Sequence, residues 1–281
     1  MATVHRYPFE LEGADRGPLR GEVRSAAPSR GGPAVIICHG FKGFKDWGFF
    51  PILAQRVAQA GLTTVSFNFS GSGVVGETFS EPERFAHATH TGDVSDAATI
   101  AQALRDGGLP PPLAPIQRFG VFGHSRGGGT AILFAADEPA VAAVVTWAAI
   151  DTVDRWSDEV VAQWRRHGQI EIVNARTGEV LPLYTDLLED IDRHGEDRLN
   201  IQAAARRLDA PWLIVHGEAD ESVPVASAHK LHAASRQETT ELLVVPGGSH
   251  GLGGKHPWAG STPQLDQAME RTVYWFTKNL L

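Results

Sequence analysis

The sequence FGVFGHSRGGG, at residues 119–129, is the clearest structural signal in the chain. Its first four residues, 119–122, predict a buried strand, and the glycine run after Ser125 opens a predicted helix that reaches about residue 136. Ser125 lies between Gly123 and Gly127 in a G-x-S-x-G pattern. A tight turn from strand to helix leaves no room for side chains two residues before or after the serine. The pattern therefore predicts a nucleophilic serine at the end of this strand.

Short, continuous apolar runs recur on both sides of this motif and alternate with segments of helical periodicity. Runs without polar alternation indicate strands that are buried on both faces, as in a parallel sheet covered by helices. We predict an α/β fold with a mostly parallel, doubly wound sheet, preceded by an antiparallel hairpin at residues 7–11 and 19–23. The other strands are predicted at residues 34–38, 63–67, 141–147, 212–216 and 241–245.

Three helices have boundaries that the sequence indicates. Residues 93–104 carry apolar side chains at helical spacing and stop before a Gly-Gly pair. Thr262 and Pro263 predict the cap and the first turn of a last helix. Asp46 is predicted to cap a helix that ends before Gly61.

Residues 151–208 form a segment that is about twice as long as a normal connection between strands. Trp156, Val160 and Trp164 recur every four residues, which predicts a helix with one apolar face. A hairpin about Thr177 and Gly178 is predicted to follow, and then one or two further helices within residues 187–207. We expect all 281 residues to form a single domain in which this segment is a cap insertion at the carboxyl ends of the strands, where α/β sheets bind ligands.

A nucleophilic serine needs a base that removes its proton and a carboxylate that orients the base. His250 follows the last predicted strand in a glycine-rich loop, and Asp220 lies four residues past the strand before it. The chain order Ser125, Asp220, His250 matches the arrangement of these groups in α/β hydrolases. Asp151, which follows the strand 141–147, remains an alternative for the carboxylate.

Five motifs resemble those of the α/β-hydrolase superfamily, and the resemblance covers nearly the whole chain. They are HGFKG at 39–43, NFSGSG at 68–73, GHSRGG at 123–128, HGEADESVP at 216–224 and GGSHG at 247–251. Within the superfamily the chain looks most like carboxylesterases of the feruloyl-esterase, acylglycerol-lipase and serine-aminopeptidase-like groups. The resemblance implies that Ser125, Asp220 and His250 are the catalytic triad. It also implies that the backbone N–H groups of Phe41 and Arg126 form the oxyanion hole.

These residues predict a serine ester hydrolase that forms an acyl-enzyme, needs no cofactor and acts on a small-molecule ester. Phe41, Trp156 and Trp164 are candidate substrate contacts, because aromatic side chains could form a wall for an apolar or aryl acyl group. One alternative is an amidase or aminopeptidase with the same triad and an acidic anchor within residues 189–192. A second alternative is a non-catalytic binding protein on this fold.

Twelve histidines raise the question of a metal site. Two pairs have a spacing that could supply two ligands each, His87 with His90 and His229 with His232. Neither pair has an obvious third ligand, so no metal is expected. Three other histidines lie inside the hydrolase motifs and are expected to form supporting hydrogen bonds rather than to act as bases: His39, His124 and His216.

Composition excludes several other classes of protein. The net charge of −8 argues against a nucleic-acid binder, which normally presents a basic face, and against a polyanionic substrate. The single cysteine, Cys38, allows no internal disulfide. The longest apolar run, 140–150, is too short to span a bilayer, and the N-terminal residues show no signal-peptide pattern, so we expect a cytoplasmic protein. The oligomeric state stays open, with a homodimer among the options.

Overall fold

The structure, a computed structural model, describes residues 3–14, 17–26, 32–111, 113–174 and 178–281. The strands are β1 (His5–Glu12), β2 (Pro18–Ser25), β3 (Ala34–Cys38), β4 (Thr63–Phe67), β5 (Phe119–His124), β6 (Val141–Trp147), β7 (Gln169–Val173), β8 (Val180–Tyr184), β9 (Trp212–Gly217) and β10 (Thr240–Val245). The helices are α1 (Phe50–Gln59), α2 (Pro82–Ala86), α3 (His90–Asp106), α4 (Arg126–Asp137), α5 (Asp158–His167), α6 (Asp186–His194), α7 (Ile201–Arg207), α8 (Ala226–Ala234) and α9 (Pro263–Leu280).

Eight of the described strands form one sheet in the order β1-β2-β4-β3-β5-β6-β9-β10. β2 pairs antiparallel with both β1 and β4. The remaining pairs of this sheet, which join β4, β3, β5, β6, β9 and β10 in that order, are parallel. β3, β4, β5 and β9 are buried at every residue, because helices cover both faces of the sheet. The predicted mostly parallel, doubly wound sheet and its N-terminal antiparallel hairpin are confirmed.

The two faces of the sheet carry separate apolar clusters. Successive side chains of a strand point to opposite faces, so Ile36 belongs to one cluster and its neighbours Val35 and Ile37 belong to the other. Apolar residues of α3, α4, α7 and α8 pack with Ile36, whereas those of α1 and α9 pack on the opposite face. This arrangement leaves the carboxyl ends of the parallel strands at one edge, where the loops that carry the predicted site residues begin.

The helix starts agree with the sequence at α9 and disagree at α1. The side chain of Thr262 accepts a hydrogen bond from the backbone N–H of Leu265, which confirms the predicted cap of α9. The predicted cap at Asp46 is wrong. α1 begins at Phe50 without a side-chain cap, and Asp46 forms an ion pair with Lys45 instead. Across the described ranges, no helix combines the length and the apolar character that crossing a membrane requires.

The long segment between β6 and β9, residues 151–208, contains α5, β7, β8, α6 and α7. β7 and β8 pair antiparallel, which confirms the predicted hairpin, although Thr177 at its predicted centre lies outside the described residues. The predicted apolar helix is present as α5. It includes Val160 and Trp164 but not Trp156, which precedes it.

Asp190 of α6 connects this segment to the start of α3. Its carboxylate accepts hydrogen bonds from the backbone N–H groups of His90, at 2.8 Å, and Thr91, at 3.0 Å. The Thr91 hydroxyl donates to the same carboxylate at 2.6 Å. Because the first N–H groups of a helix have no acceptor inside the helix, Asp190 supplies the acceptor that α3 lacks.

Candidate active site

Ser125 lies at the turn between β5 and α4, with φ 59° and ψ −122°. A positive φ is costly for a residue other than glycine and persists only where the surroundings impose it. The flanking glycines show how tightly this turn is packed. A Cβ on Gly123 would lie 2.1 Å from the carbonyl oxygen of Gly127, and a Cβ on Gly127 would lie 2.2 Å from that of His39. The spacing of glycine and serine in the sequence is therefore a requirement of this turn.

Asp220 and His250, from the loops after β9 and β10, are hydrogen-bonded to each other. The distance between Asp220 Oδ2 and His250 Nδ1 is 2.8 Å. Asp220 Oδ1 also accepts from the backbone N–H groups of Ser222 and Val223, each at 2.9 Å. Burial opposes the ionisation of Asp220, but hydrogen bonds from His216 and His250 outweigh it and hold the pKa of this carboxyl below its usual range. Asp220 is thus a fixed anionic acceptor for His250.

Ser125 and His250 line the same cavity of about 530 Å³ at the carboxyl ends of the strands. The Ser125 hydroxyl forms no hydrogen bond with another described residue. Asp151, the alternative acid, is engaged elsewhere, since its Oδ2 lies 3.1 Å from Lys230 Nζ. The hydrogen bond to His250 therefore favours Asp220 over Asp151 as the partner of the imidazole.

Two further histidines support this pair, as expected from their place in the motifs. His124 Nε2 donates a hydrogen bond to the backbone oxygen of His250 at 2.9 Å, and the two rings lie 4.7 Å apart between centroids. His216 Nε2 donates to the backbone oxygen of Val223 at 2.8 Å and lies 3.4 Å from Asp220 Oδ2. His124 therefore fixes the backbone of the loop that carries His250, and His216 stabilises the Asp220 carboxylate.

The loop after β3 presents the backbone N–H of Phe41 in a fixed direction. The carbonyl oxygen of Gly40 accepts from His39 Nδ1 at 2.9 Å and from the N–H of Gly43 at 3.0 Å. In a trans peptide the N–H of the next residue points away from this carbonyl, so the two bonds orient the Phe41 N–H. Burial lowers the pKa of His39 to about 4, which keeps the donating ring neutral. A Cβ on Gly40 would lie 3.0 Å from Ser125 Cβ, so the loop lies against the serine.

The backbone N–H groups of Phe41 and Arg126 have no acceptor among the described residues, and both residues line the cavity. Arg126 is the first residue of α4, where backbone N–H groups have no partner inside the helix and the helix dipole favours negative charge. Two backbone donors without an acceptor therefore belong to residues that line the cavity with Ser125.

The side chain of Arg126 forms a buried ion pair that the sequence did not predict. Arg126 Nε donates to Asp93 Oδ2 at 2.6 Å. Burial raises the pKa of Asp93 to about 6, against the opposing effect of the guanidinium. His90, which also lines the cavity, is buried, and burial together with the Arg126 charge holds its pKa well below the ordinary value. Asp93 lies thirty-three positions before Arg126, so no local pattern indicated the pair.

Of the three predicted aromatic contacts, Phe41 and Trp156 line the cavity. Trp164 does not line it, so its prediction as a substrate contact is corrected. Its side chain is fully buried and packs edge-to-face on Trp156, with 5.3 Å between the ring centroids. The apolar part of the wall is completed by five aliphatic side chains, Ile150, Val153, Ile172, Leu187 and Val223.

The acidic side chains that were considered as an anchor for a substrate amine also lie outside the cavity lining. Asp190 holds the start of α3, Asp192 pairs with Arg165 at 2.7 Å, and Glu189 accepts a hydrogen bond from the Thr185 hydroxyl. Each of these carboxylates therefore has a structural partner away from Ser125.

The histidine pairs do not assemble a metal site within the part of the chain that the structure describes. No group of three or more His, Cys, Asp or Glu side chains in these residues could hold a metal ion. His87 Nδ1 lies 2.8 Å from Asp186 Oδ1, and Cys38 is buried in β3.

Comparison with known proteins assigns the chain to a family. The family model of the prolyl oligopeptidase family matches residues 47–281, a range that includes Ser125, Asp220 and His250. The chain belongs to this family. It is therefore a hydrolase of the α/β-hydrolase superfamily.

Two curated relatives are similar in sequence. The 2,6-dihydropseudooxynicotine hydrolase of Paenarthrobacter nicotinovorans is 27% identical over 223 residues, which are 78% of this chain and 52% of that protein. The chain thus spans about half the length of this relative. The monoacylglycerol lipase of Mycolicibacterium smegmatis is 27% identical over 239 residues, which are 77% of this chain and 80% of the lipase.

Solved structures confirm the fold. Est1E from Butyrivibrio proteoclasticus, solved with ferulic acid bound, superimposes with a TM-score of 0.71 and covers 96% of this chain and 98% of Est1E. The sequence identity is 16%, so this likeness concerns the fold alone. The predicted α/β-hydrolase fold is confirmed.

Proposed function

We propose that this protein is a serine hydrolase that cleaves carboxylic esters through an acyl-enzyme. His250 removes the proton of the Ser125 hydroxyl, and Ser125 Oγ attacks the ester carbonyl carbon. The negative charge that develops on the carbonyl oxygen is bound by the backbone N–H groups of Phe41 and Arg126. Asp220 holds the imidazole by its Nδ1 and stabilises the imidazolium that forms.

The tetrahedral intermediate then breaks down to the acyl-enzyme and the alcohol. The bond from the carbonyl carbon to the leaving oxygen breaks, and the imidazolium of His250 gives its proton to the departing alcohol. A water molecule gives a proton to His250 and attacks the carbonyl carbon of the acyl-enzyme. The bond from this carbon to Ser125 Oγ then breaks, and His250 returns the proton to Ser125 Oγ, which releases the carboxylic acid and restores the enzyme. Every proton is accounted for by His250, so the reaction needs no cofactor.

The observation that carries this proposal is the hydrogen bond of 2.8 Å between His250 and Asp220 at the cavity that Ser125 lines. The positive φ of Ser125 supports it, because a strained backbone at a cavity is typical of a functional residue. The oriented and unused N–H of Phe41 provides independent support, since it is a donor ready for an oxyanion.

We also propose that residues 151–208 act as a cap of a single domain. Trp156, Ile172, Asn174 and Leu187 come from this segment and line the cavity that Ser125 shares. They would cover the acyl group of the substrate, as an aromatic and aliphatic wall. The ring of Trp156 makes an aryl acyl group one candidate, because it offers a flat apolar contact in the cavity lining.

Amide cleavage is the second candidate, and the match to the prolyl oligopeptidase family favours it. The lipase among the relatives and the absence of an acidic anchor from the cavity lining of the described chain favour ester cleavage. Kinetics with p-nitrophenyl butyrate and with alanine p-nitroanilide separate the two. The ester proposal expects a higher kcat/KM for the ester, and preferential cleavage of the anilide would contradict it.

Replacement of the nucleophile tests the mechanism. Ser125→Ala should lower kcat for p-nitrophenyl butyrate by at least about 10³-fold, because only binding and the oxyanion donors remain. The same variant should no longer react with a fluorophosphonate probe. Ser95→Ala, which changes an exposed serine of α3, is the matched control and should keep both activities. Undiminished hydrolysis by the Ser125→Ala protein would overturn the assignment.

A further inference from the structure

The charged side chains that line the cavity with Ser125 are of one sign. Lys42, Arg126 and Arg155 line it, and no aspartate or glutamate of the described residues does so. The whole chain has a net charge of −8, so the cavity is opposite in sign to the molecule around it. We call Lys42, Arg126 and Arg155 the cationic wall.

Arg126 is the buried member of the cationic wall. Its guanidinium uses Nε for the ion pair with Asp93, whereas Nη2 is buried and has no hydrogen-bond acceptor among the described residues. Leaving a buried charged donor unpaired is unfavourable, so an oxygen acceptor that reaches Nη2 through a shift of the side chains covering it would gain free energy there. The ring of Phe41 lies 5.5 Å from the Arg126 guanidinium carbon and limits its exposure to water.

Arg155 and Lys42 extend the cationic wall toward solvent and are held by backbone carbonyls. Arg155 Nη2 donates to the backbone oxygen of Ser222 at 2.7 Å, and Lys42 Nζ donates to that of Val173 at 3.1 Å. The Ser222 carbonyl orients Arg155 without neutralising it.

Among the described residues, three carboxylates act on Arg126 and Arg155 from outside the cavity lining, and each has a partner of its own. Asp93 is paired with Arg126 itself. Asp151 and Asp220 act on Arg155 at longer range, while Asp151 contacts Lys230 and Asp220 contacts His250. The cavity therefore keeps an excess of positive charge at its surface.

We propose that the substrate of this site is an ester that carries a carboxylate, bound by the cationic wall while the ester carbonyl lies at Ser125. This inference rests on the proposed function and names its substrate class. A carboxylate accepts paired hydrogen bonds from a guanidinium, so Arg126 and Arg155 suit it better than a neutral group. Ile150, Val153 and Leu187 also line the cavity and suit a short apolar linker between carboxylate and ester.

Matched pairs of esters test the proposal and locate the carboxylate. Mono-p-nitrophenyl glutarate and p-nitrophenyl pentanoate have acyl chains of equal length and differ by a terminal carboxylate. 4-Acetoxybenzoate and its methyl ester place the carboxylate on the leaving group instead. We expect kcat/KM to be at least tenfold higher for the anionic ester in one of the two pairs.

The variant Arg155→Gln shows whether this preference comes from the cationic wall. It should lower the ratio of anionic to neutral kcat/KM by at least fivefold, mainly through a higher KM for the anionic ester. Arg166→Gln removes an exposed arginine of α5 that does not line the cavity, and it should leave the ratio unchanged. Raising NaCl from 0.05 to 0.5 M should also reduce the ratio in the parent protein, because salt screens exposed charges.

The outcomes separate this inference from the proposed function. Equal or faster hydrolysis of the neutral ester in both pairs would overturn the carboxylate while leaving the ester hydrolase in place. A fall of both rates by the same factor in Arg155→Gln would also overturn it. Failure of all four esters, together with no labelling of Ser125 by the fluorophosphonate, would overturn both proposals.

Discussion

At the scale of single residues, Asp220 has the most constrained environment of the candidate site. Its two carboxylate oxygens face two backbone N–H groups and the side chains of His216 and His250. These donors do more than lower its pKa. They leave the carboxylate a single orientation, which in turn fixes the proton of His250 on Nδ1 and frees Nε2 to face the cavity.

Asp220→Asn should therefore lower kcat for p-nitrophenyl butyrate by about 10³- to 10⁴-fold. The asparagine keeps the size of the side chain but can present an N–H to the imidazole, which favours the wrong tautomer of His250. Asp151→Asn is the matched control, because Asp151 contacts Lys230 rather than the imidazole. Steady-state kinetics of both variants decide the point. A larger loss in Asp151→Asn would show that Asp151 is the acid.

At the scale of elements, the turn from β5 to α4 is the most tightly packed part of the site. A Cβ on Gly123 would meet the carbonyl oxygen and carbon of Gly127 at 2.1 and 2.7 Å. These are backbone atoms of the helix that follows, so neither side can move without shifting the other. The loop after β3 also lies against this turn, because Gly40 approaches Ser125 closely.

Gly123→Ala should destabilise the protein by about 3 kcal/mol or more, since overpacking against a backbone cannot relax by a rotamer change. Gly108→Ala is the control. A Cβ there meets nothing closer than 3.6 Å, and the residue does not need a positive φ. Urea unfolding monitored by tryptophan fluorescence measures both free energies. Equal stability of the two variants would contradict the packing argument.

The sheet could be predicted from the sequence because burial on both faces requires continuous apolar runs. Residues 34–38, 63–67 and 141–147 were predicted with the same limits that the structure shows. The start of α1 was not predictable, because turns within the preceding loop set it. Trp47 N–H donates to the Phe44 carbonyl and Phe50 N–H to that of Trp47, and Asp46 plays no part in these bonds.

The residues of the candidate site also fall into those that could be predicted from the sequence and those that could not. Ser125, Asp220 and His250 each follow a strand in a recognisable local motif, so their convergence could be predicted from chain order and strand ends. The pair Arg126–Asp93 and the position of Arg155 depend on neighbours distant in sequence, and no local pattern encodes them. Periodicity predicted that Trp156 and Trp164 lie on one face. It could not show that Trp156 lines the cavity whereas Trp164 packs on Trp156 and does not line it.

At the scale of the whole molecule, buried titratable groups make stability depend on pH. Burial lowers the pKa of His39 to about 4 and that of His90 well below its ordinary value. Each ring is neutral in the folded chain and takes up a proton on unfolding as the pH falls below about 6.5. Asp93, whose pKa burial raises to about 6, has the opposite effect and releases one proton on unfolding between about 4 and 6. The two histidines outweigh it.

The free energy of unfolding should therefore fall as the pH is lowered from 6.5 to 4.5. Each net proton taken up contributes about 1.4 kcal/mol per pH unit. Urea titrations at several pH values measure this slope. His39→Asn should reduce it, whereas His167→Gln, which changes an exposed histidine of α5, should not. A free energy that is constant or that rises over this interval would contradict the assignment of neutral buried rings.

The carboxylate of Asp190 also limits how the molecule can admit a substrate. A hinged swing of residues 151–208 away from the sheet would leave three donors of α3 without an acceptor at once. Water would then solvate these donors, so each lost hydrogen bond to the carboxylate costs about 1.5–3 kcal/mol net, and the movement is unfavourable by several kcal/mol. We therefore expect reactants and products to pass through the mouth of the cavity while the hydrogen bonds between Asp190 of α6 and the start of α3 remain formed.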